Sequence, residues 1–384
     1  MRRMRERDRV RAARVARADM VVAGLGYGDG MSEERTVVAM VGNPVSGKGR
    51  GAVTYERVLD LMIEAGVRRG FDVIDLTGSS FDDSLRRARE EADRYSHLVV
   101  AGGDGMISLG ANAVGCSGKP LGIVAIGSGN DFARGLGLPV NRIETAVEGI
   151  VGAIVHGSHI DVDMGRVTSL PGGDGEPIDR FYGGMLNCGL DATINDRANH
   201  SHLPGGSLRY FVAVLVEVTR LKRYGYHIKA TLVDGSVEEY DLYTPMITVA
   251  NSRHVGGGLE ISPYSRFDDG LLDLVWIDHM PNPIEIADAI SKGYNGRLLA
   301  SRVFGWKRVR GVEITRADGG AEPPVLMSDG EYVGSLPVRV ETQGRALRVL
   351  VPPAVAAEHR ADDGSRTMAA LERDHRDPVT GVFV

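Results

Sequence analysis

Residues 98–105 read Leu-Val-Val-Ala-Gly-Gly-Asp-Gly, and residues 121–131 read Leu-Gly-Ile-Val-Ala-Ile-Gly-Ser-Gly-Asn-Asp. Each is a short apolar run that breaks directly into glycine. A run of four to six apolar residues without alternation is what a strand covered on both faces requires. Val37-Val38-Ala39-Met40-Val41, followed by Gly42-Asn43, has the same form, and 71–76 supplies a further strand. Between these runs lie segments of helical spacing. In 52–65, Val58, Leu59 and Met62 share a side; in 82–95, Leu85, Ala88 and Ala92 form one stripe. Strand, helix, strand, repeated over 36–157, predicts a doubly wound α/β domain, a parallel sheet with helices on both faces. Ligands of such sheets sit at the carboxyl ends of the strands. Three of the four expected strands run into glycine loops there.

Outward from this core the texture changes. Residues 158–342 carry short β-rich runs at 226–233, 243–250, 271–277, 312–315, 326–328 and 338–340, punctuated by Asp234-Gly235, Asp269-Gly270 and Asp329-Gly330. This pattern predicts a mostly antiparallel β domain crossed by one helix at 207–223. A last strand at 346–352 is expected before a polar tail at 361–384. Residues 1–35 read as a basic tail: the first 20 hold eight Arg against Glu6, Asp8 and Asp19.

Composition sets the outer limits. The 384 residues include 51 glycines, about twice the ~7% average usage, and they cluster at the ends of apolar runs. Formal net charge is −6, and the basic tail makes the rest of the chain more acidic still, which argues against nucleic-acid binding by the folded body. Two cysteines, Cys116 and Cys188, are too few for a disulfide framework or a four-cysteine zinc site. No apolar run approaches the ~18 residues of a membrane span. The expectation is a cytoplasmic protein, peripheral at the inner membrane surface.

The loops carry the chemistry. Gly42-Asn43-Pro44-Val45-Ser46-Gly47-Lys48-Gly49 approximates the phosphate-binding P-loop, but Gly49 stands where a Mg²⁺-binding hydroxyl belongs. Such a strand-to-helix turn still offers backbone N–H groups to an anion. Gly102-Gly103-Asp104-Gly105 lets a triphosphate approach the backbone closely and places one carboxylate to reach a phosphate-bound Mg²⁺. Gly127-Ser128-Gly129-Asn130-Asp131 opens a helix: Ser128 is suited to a phosphate, Asp131 to a substrate hydroxyl or a metal-bound water.

With Asn43-Pro44-x-Ser46-Gly47, Gly102-Gly103-Asp104-Gly105, Gly127-x-Gly129-Asn130-Asp131-Phe132-Ala133-Arg134, Asp268-Asp269-Gly270-Leu271 and Asp329-Gly330-Glu331 in this order, the chain resembles the diacylglycerol kinase catalytic-domain superfamily. That group covers bacterial soluble lipid kinases and sphingosine kinases. The resemblance implies that 158–342 form an antiparallel β-sandwich, that 343–360 return to the first domain, and that a nucleotide is held between the α/β domain and the β-sandwich. It places ATP contacts at Asn43, Pro44, Val45, Ser46, Gly47, Thr77, Gly103, Asp104, Gly105, Met106, Ile107, Ser108, Leu109 and Ser128. It implies an acidic network of Asp104, Asp131 and Asp163 around a catalytic Mg²⁺, with Asp161 as rival to Asp163, and Glu331 as the catalytic base. A structural Mg²⁺ would sit on the loop of Arg266, Asp269 and Leu271, the outer two through carbonyl oxygens. The chain departs from the family where Met106, Ser108 and Leu109 stand in place of Thr, Asn and Glu.

The expected activity is therefore ATP- and Mg²⁺-dependent phosphorylation of a lipid hydroxyl, diacylglycerol to phosphatidic acid. A sphingoid-base or other long-chain alcohol kinase, an NAD kinase and a non-catalytic nucleotide- or lipid-binding regulator are the alternatives. The expected partner is a lipid at the membrane surface, reached by transient contact. A homodimer is left open.

Overall fold

The computed structural model describes residues 35–43, 50–173, 175–189, 222–256, 258–293 and 295–384. Residues 207–221 of the helix expected at 207–223, residues 1–34 of the tail expected at 1–35, and Pro44 to Gly49 lie outside the described residues.

Strands β1 (Val37–Gly42), β2 (Asp72–Asp75), β3 (His97–Gly102) and β4 (Leu121–Ala125) pair in parallel in the order β4-β3-β1-β2. Helix α1 (Arg50–Arg69) and α5 (Ile143–His156) cover one face, burying Val58 and Met62 with Val147 and Ile150 against Val38, Met40, Val99 and Val124. Helices α2 (Phe81–Glu90) and α3 (Asp104–Val114) cover the other. The two-sided cover explains why these strands show no polar alternation. A one-turn helix α4 (Asp131–Gly135) follows β4.

Two long strands, β5 (His159–Ser169) and β17 (Val338–Leu350), then run antiparallel to each other out of this domain. At one end Val349 pairs with Leu121 of β4; at the other, Val338 to Glu341 pair with β14 (Phe304–Arg316). The isolated runs at 338–340 and 346–352 are thus one strand, interrupted by a bulge between Gln343 and Leu347 with Arg345 at φ 53°.

The second domain is antiparallel around β6 (Asp179–Tyr182), β7 (Met185–Cys188), β8 (Tyr224–Leu232), β9 (Val237–Thr244), β10 (Ile247–Ala250), β13 (Leu272–Ile277), β14, β15 (Leu326–Ser328) and β16 (Glu331–Gly334), with a short β11–β12 hairpin (His254–Val255, Leu259–Glu260). Its core gathers Tyr182, Tyr226, Ile228, Leu274 and Val340. The run expected at 243–250 is two strands, because Pro245 has no N–H to continue a ladder.

A helix that the sequence reading missed, α6 (Pro283–Gly293), begins with a capping box: Asn282 Oδ1 accepts from Ile284 and Glu285 N–H, and Glu285 Oε2 accepts from Asn282 N–H. Residues 361–384 are not a tail. After α7 (Pro353–Ala361), whose Ala356 enters the first domain's core, α8 (Ser365–Arg373) sets Leu371 beside Tyr264 and Trp306 of the second. Beyond it, the buried Arg376 guanidinium donates to the Leu299, Phe304 and Gly381 carbonyls and stacks 3.7 Å from the Phe383 ring. The polar composition of this segment is spent on such pairs rather than on solvent.

Candidate active site

The glycine loops at the ends of β3 and β4 touch. A β-carbon built on Gly127 would lie 2.3 Å from Gly103 Cα, so only glycine permits this approach. Asn130, at φ 59°, closes the second loop: its amide accepts from Gly127 N–H at 2.9 Å and donates to Gly127 O at 2.8 Å. The two loops therefore present Asp104, first residue of α3, and Asp131, first residue of α4, on either side of Gly129. A β-carbon there would sit 2.7 Å from Asp104 Oδ2 and 3.2 Å from Asp131 Oδ2.

These groups line a cavity of about 780 Å³ between the domains. Asn43, Gly103 to Met106, Gly127 to Gly129 and Asp131 come from the first domain; Asn187, His254 to Gly256 and Asp329 to Glu331 face them from the second. Glu331 reaches across: its Oε1 lies 2.7 Å from where a Gly105 β-carbon would be, and Gly105 makes room for it.

The electrostatics are those of crowded carboxylates. Burial raises the Asp104 carboxyl above its ordinary range and the neighbouring Asp131 adds to it, against N–H groups of Phe132, Asn130 and Asp131 that lower it. Burial also raises Glu331; Asp82 adds, and the charge of Arg180 partly offsets the shift. Asp329, the first residue of the Asp329-Gly330-Glu331 motif and not among the expected site residues, accepts from the N–H groups of Gly183, Gly184 and Met185 at 3.0–3.1 Å. Burial and Asp104 nonetheless push it up to about 7. Its φ of 49° in the turn that aims Glu331 was the signal available in Asp329-Gly330.

Not every residue expected at the site reaches it. Along α3, Gly103, Asp104, Gly105 and Met106 line the cavity, whereas Ile107 and Leu109 turn into the first domain's core and Ser108 faces a second, smaller recess. Helical periodicity makes that division, and an apolar residue at 109 is what the core demands. Thr77 spends its hydroxyl at the end of β1, accepting from Gly42 N–H and donating to the Tyr55 hydroxyl. Ser128 lines the cavity; Pro44, Val45, Ser46 and Gly47 lie outside the described residues.

Asp163 stands apart. One carboxylate oxygen accepts from Arg345 N–H in the β17 bulge and the other from Gly270 N–H, both at 2.7 Å. It ties the bulge to the 266–271 loop and is no lining residue of the cavity. Asp161 pairs with Arg348 instead.

Among the described residues no three His, Cys, Asp or Glu side chains gather closely enough to enclose a metal. The arrangement still suits Mg²⁺, which keeps waters and takes one or two carboxylates plus substrate phosphates. Asp104, raised by burial and then by its neighbour Asp131, offers such a pair together with Asp131. In the second domain Asp269 is pushed up to about 7 by burial even with Arg308 nearby. A partly buried carboxylate whose charge Arg308 and the Leu271 N–H only partly offset fits a hard cation, with the Arg266 and Leu271 carbonyl oxygens that the resemblance implies to complete the set. The Arg266 side chain is engaged elsewhere, with Asp268 and Asp362.

A glycine-looped parallel sheet and an antiparallel domain that closes carboxylates over it define a two-domain kinase. Residues 37–167 match the family model of the diacylglycerol kinase catalytic domain, and residues 184–351 that of the YegS C-terminal NAD kinase beta sandwich-like domain. The chain is 30% identical over 318 residues to a diacylglycerol kinase of Mycobacterium tuberculosis, spanning 82% of this chain and 95% of that protein. It is 26% identical over 313 residues to a diacylglycerol kinase of Bacillus subtilis, spanning 81% and 94%. A crystal structure of a diacylglycerol kinase from Bacillus anthracis superposes with a TM-score of 0.60 at 21% identity, covering 85% of this chain and all of that one; it shares the fold. The chain belongs to the diacylglycerol kinase family and is a lipid kinase.

Proposed function

We propose that the protein transfers the γ-phosphoryl group of ATP, in a Mg²⁺-dependent reaction, to the free hydroxyl of a diacylglycerol, giving phosphatidic acid. The observation that carries this reading is Glu331, a carboxylate from the second domain held against Gly105 in the cavity that the glycine loops line.

Phosphoryl transfer needs positioning and charge neutralisation more than covalent help. Backbone N–H groups of the two loops and Ser128 bind and orient the phosphates. Asp104 and Asp131 would hold Mg²⁺, which supplies charge neutralisation of the β,γ-phosphates. Glu331 accepts the proton of the acceptor hydroxyl as the new O–P bond forms and the bond to ADP breaks, a role worth typically ~10²–10⁴ in rate. Asp329 holds the turn that aims Glu331.

The acceptor lives in a bilayer, and no described helix is long and apolar enough to cross one. Transient docking is the matching arrangement. The Arg-rich residues 1–20 would supply attraction to anionic lipid at up to ~1 kcal/mol per basic residue.

Radiolabelled ATP with diacylglycerols, sphingoid bases, long-chain alcohols and NAD, presented in mixed micelles, tests the reading. Label in phosphatidic acid, dependent on Mg²⁺, supports it. Label in another acceptor with none in phosphatidic acid overturns the substrate. No label in any acceptor, with ATP bound, overturns the reaction.

A further inference from the structure

Glu331 lines two cavities. On one side lies the large cleft of the glycine loops; on the other lies a recess of about 120 Å³, and Phe81 is the second residue shared by both. The recess sits between α2 and α3 of the first domain and the β5, β6, β15 and β16 strands of the second. Leu85, Val167 and Val333 give it apolar walls, and Arg180 reaches it from the exposed edge strand β6. Ser328 also lines it. That residue is 95% buried, and its hydroxyl has no hydrogen-bond partner among the described residues. A buried donor left unmatched costs free energy, so an orphaned hydroxyl in a cavity wall points to a ligand that satisfies it.

Resting on the reading above, the geometry points to this recess as the acceptor subsite. We propose that it takes the glycerol–ester end of the lipid, with Ser328 donating to an ester carbonyl and the free hydroxyl presented to Glu331. Two constraints meet there. The base must lie within hydrogen-bond reach of the hydroxyl it deprotonates. The attacking oxygen must also approach the phosphorus opposite to the leaving group. A hydroxyl presented from the recess, which shares Glu331 with the glycine-loop cleft, meets the first, and the subsite requires that it meet the second. Its small volume admits the polar end of the lipid but not its chains, which run outward. The chemistry selected is a hydroxyl beside an ester.

The test pairs a protein change with a ligand change. Dioctanoylglycerol and its dialkyl ether, which lacks the ester carbonyls, are compared as acceptors for wild type, Ser328→Ala and Leu85→Trp. Acceptor KM, ATP KM and kcat are measured, and acceptor Kd by calorimetry independently of turnover. Ser328→Ala is expected to raise KM and Kd for the ester about 5- to 10-fold. Values for the ether and the KM for ATP should stay within twofold. Leu85→Trp, which fills the recess, should raise both acceptor constants at least tenfold. Ser328→Ala, folded by circular dichroism, with an unchanged ester Kd or an equal loss on ester and ether would overturn the subsite. A wild type that binds dioctanoylglycerol with the expected dependence on Ser328 yet transfers no phosphate would leave the subsite standing and remove the reaction instead.

Discussion

The resemblance puts Glu331 and Asp163 in one machinery, yet the structure gives them different surroundings. Glu331 faces the cavity with its carboxyl raised by burial. A base works only when deprotonated, so kcat/KM should rise with pH through a value above the ordinary glutamate range, and the acid limb should lie nearer neutrality than a solvated glutamate would place it. Glu331→Gln should lower turnover at least about 10²-fold and leave ATP affinity within a few fold; a pH–rate profile together with nucleotide titration checks both. Asp163 spends both oxygens on backbone N–H groups. Asp163→Ala strips two partners at once and should destabilise by about 2–4 kcal/mol, measured by denaturant unfolding, while the folded fraction keeps its turnover. A fully folded, inactive variant would return Asp163 to the chemistry. Asp104 and Asp131 were legible as cavity residues because each follows a strand end whose glycine signal is local. Glu331 and Asp163 entered through the resemblance, and nothing local set Asp163 apart, since its partners Gly270 and Arg345 are remote in the chain.

At the scale of elements, the parallel strands and their helices were legible because fully covered strands are short, apolar and bounded by glycine. The long pair β5 and β17 was not. Half of each strand lies in either domain, so its burial pattern changes midway, and the bulge at 344–346 breaks the periodicity that would join 338–340 to 346–352. Helix α6 is announced by Asn282-x-x-Glu285 and by Ile286 and Ala289, three apart on its buried side, signals that a reading for β runs leaves unused. The loop at 266–271 makes a prediction of its own. If a hard cation compensates Asp269, excess Mg²⁺ should raise the melting temperature of wild type and leave Asp269→Ala unmoved. Calorimetric scans at several Mg²⁺ concentrations read this out, and equal shifts in both proteins would remove the site.

Across the whole molecule, the segment after β17 is a strap. Residues 353–361 pack on the first domain and 365–384 on the second, and both grip the loops between them: Asp362 holds Arg266, and Asp374 accepts from Tyr264, Arg297 and Arg373. Composition hid this, since buried guanidiniums and carboxylates read as solvent-facing until their partners are known. Arg376→Ala removes three buried hydrogen bonds to carbonyls and should destabilise by at least about 3 kcal/mol in urea unfolding. For Asp374, burial alone would raise the carboxyl, yet its three donors together hold it below the ordinary range. A carboxyl lowered on folding stabilises the native state above its unfolded pKa and loses that contribution as pH falls through the folded value. Acid should therefore loosen the strap, and Asp374→Asn should flatten the acid side of a stability–pH curve.

The interlaced course of the chain also bears on its synthesis. The first domain's core is completed by Leu347, Val349, Val351 and Ala356, which the ribosome delivers only after the whole second domain. Emerging first therefore does not let the α/β half finish first. Until β17 is made, the Leu121 end of β4 lacks the Val349 partner that closes its edge, and an open edge is a template for pairing with other chains. The nascent protein is most exposed to aggregation during the interval between β4 and β17, and a chaperone that shields one open strand edge would be of more use to it than one that simply delays collapse.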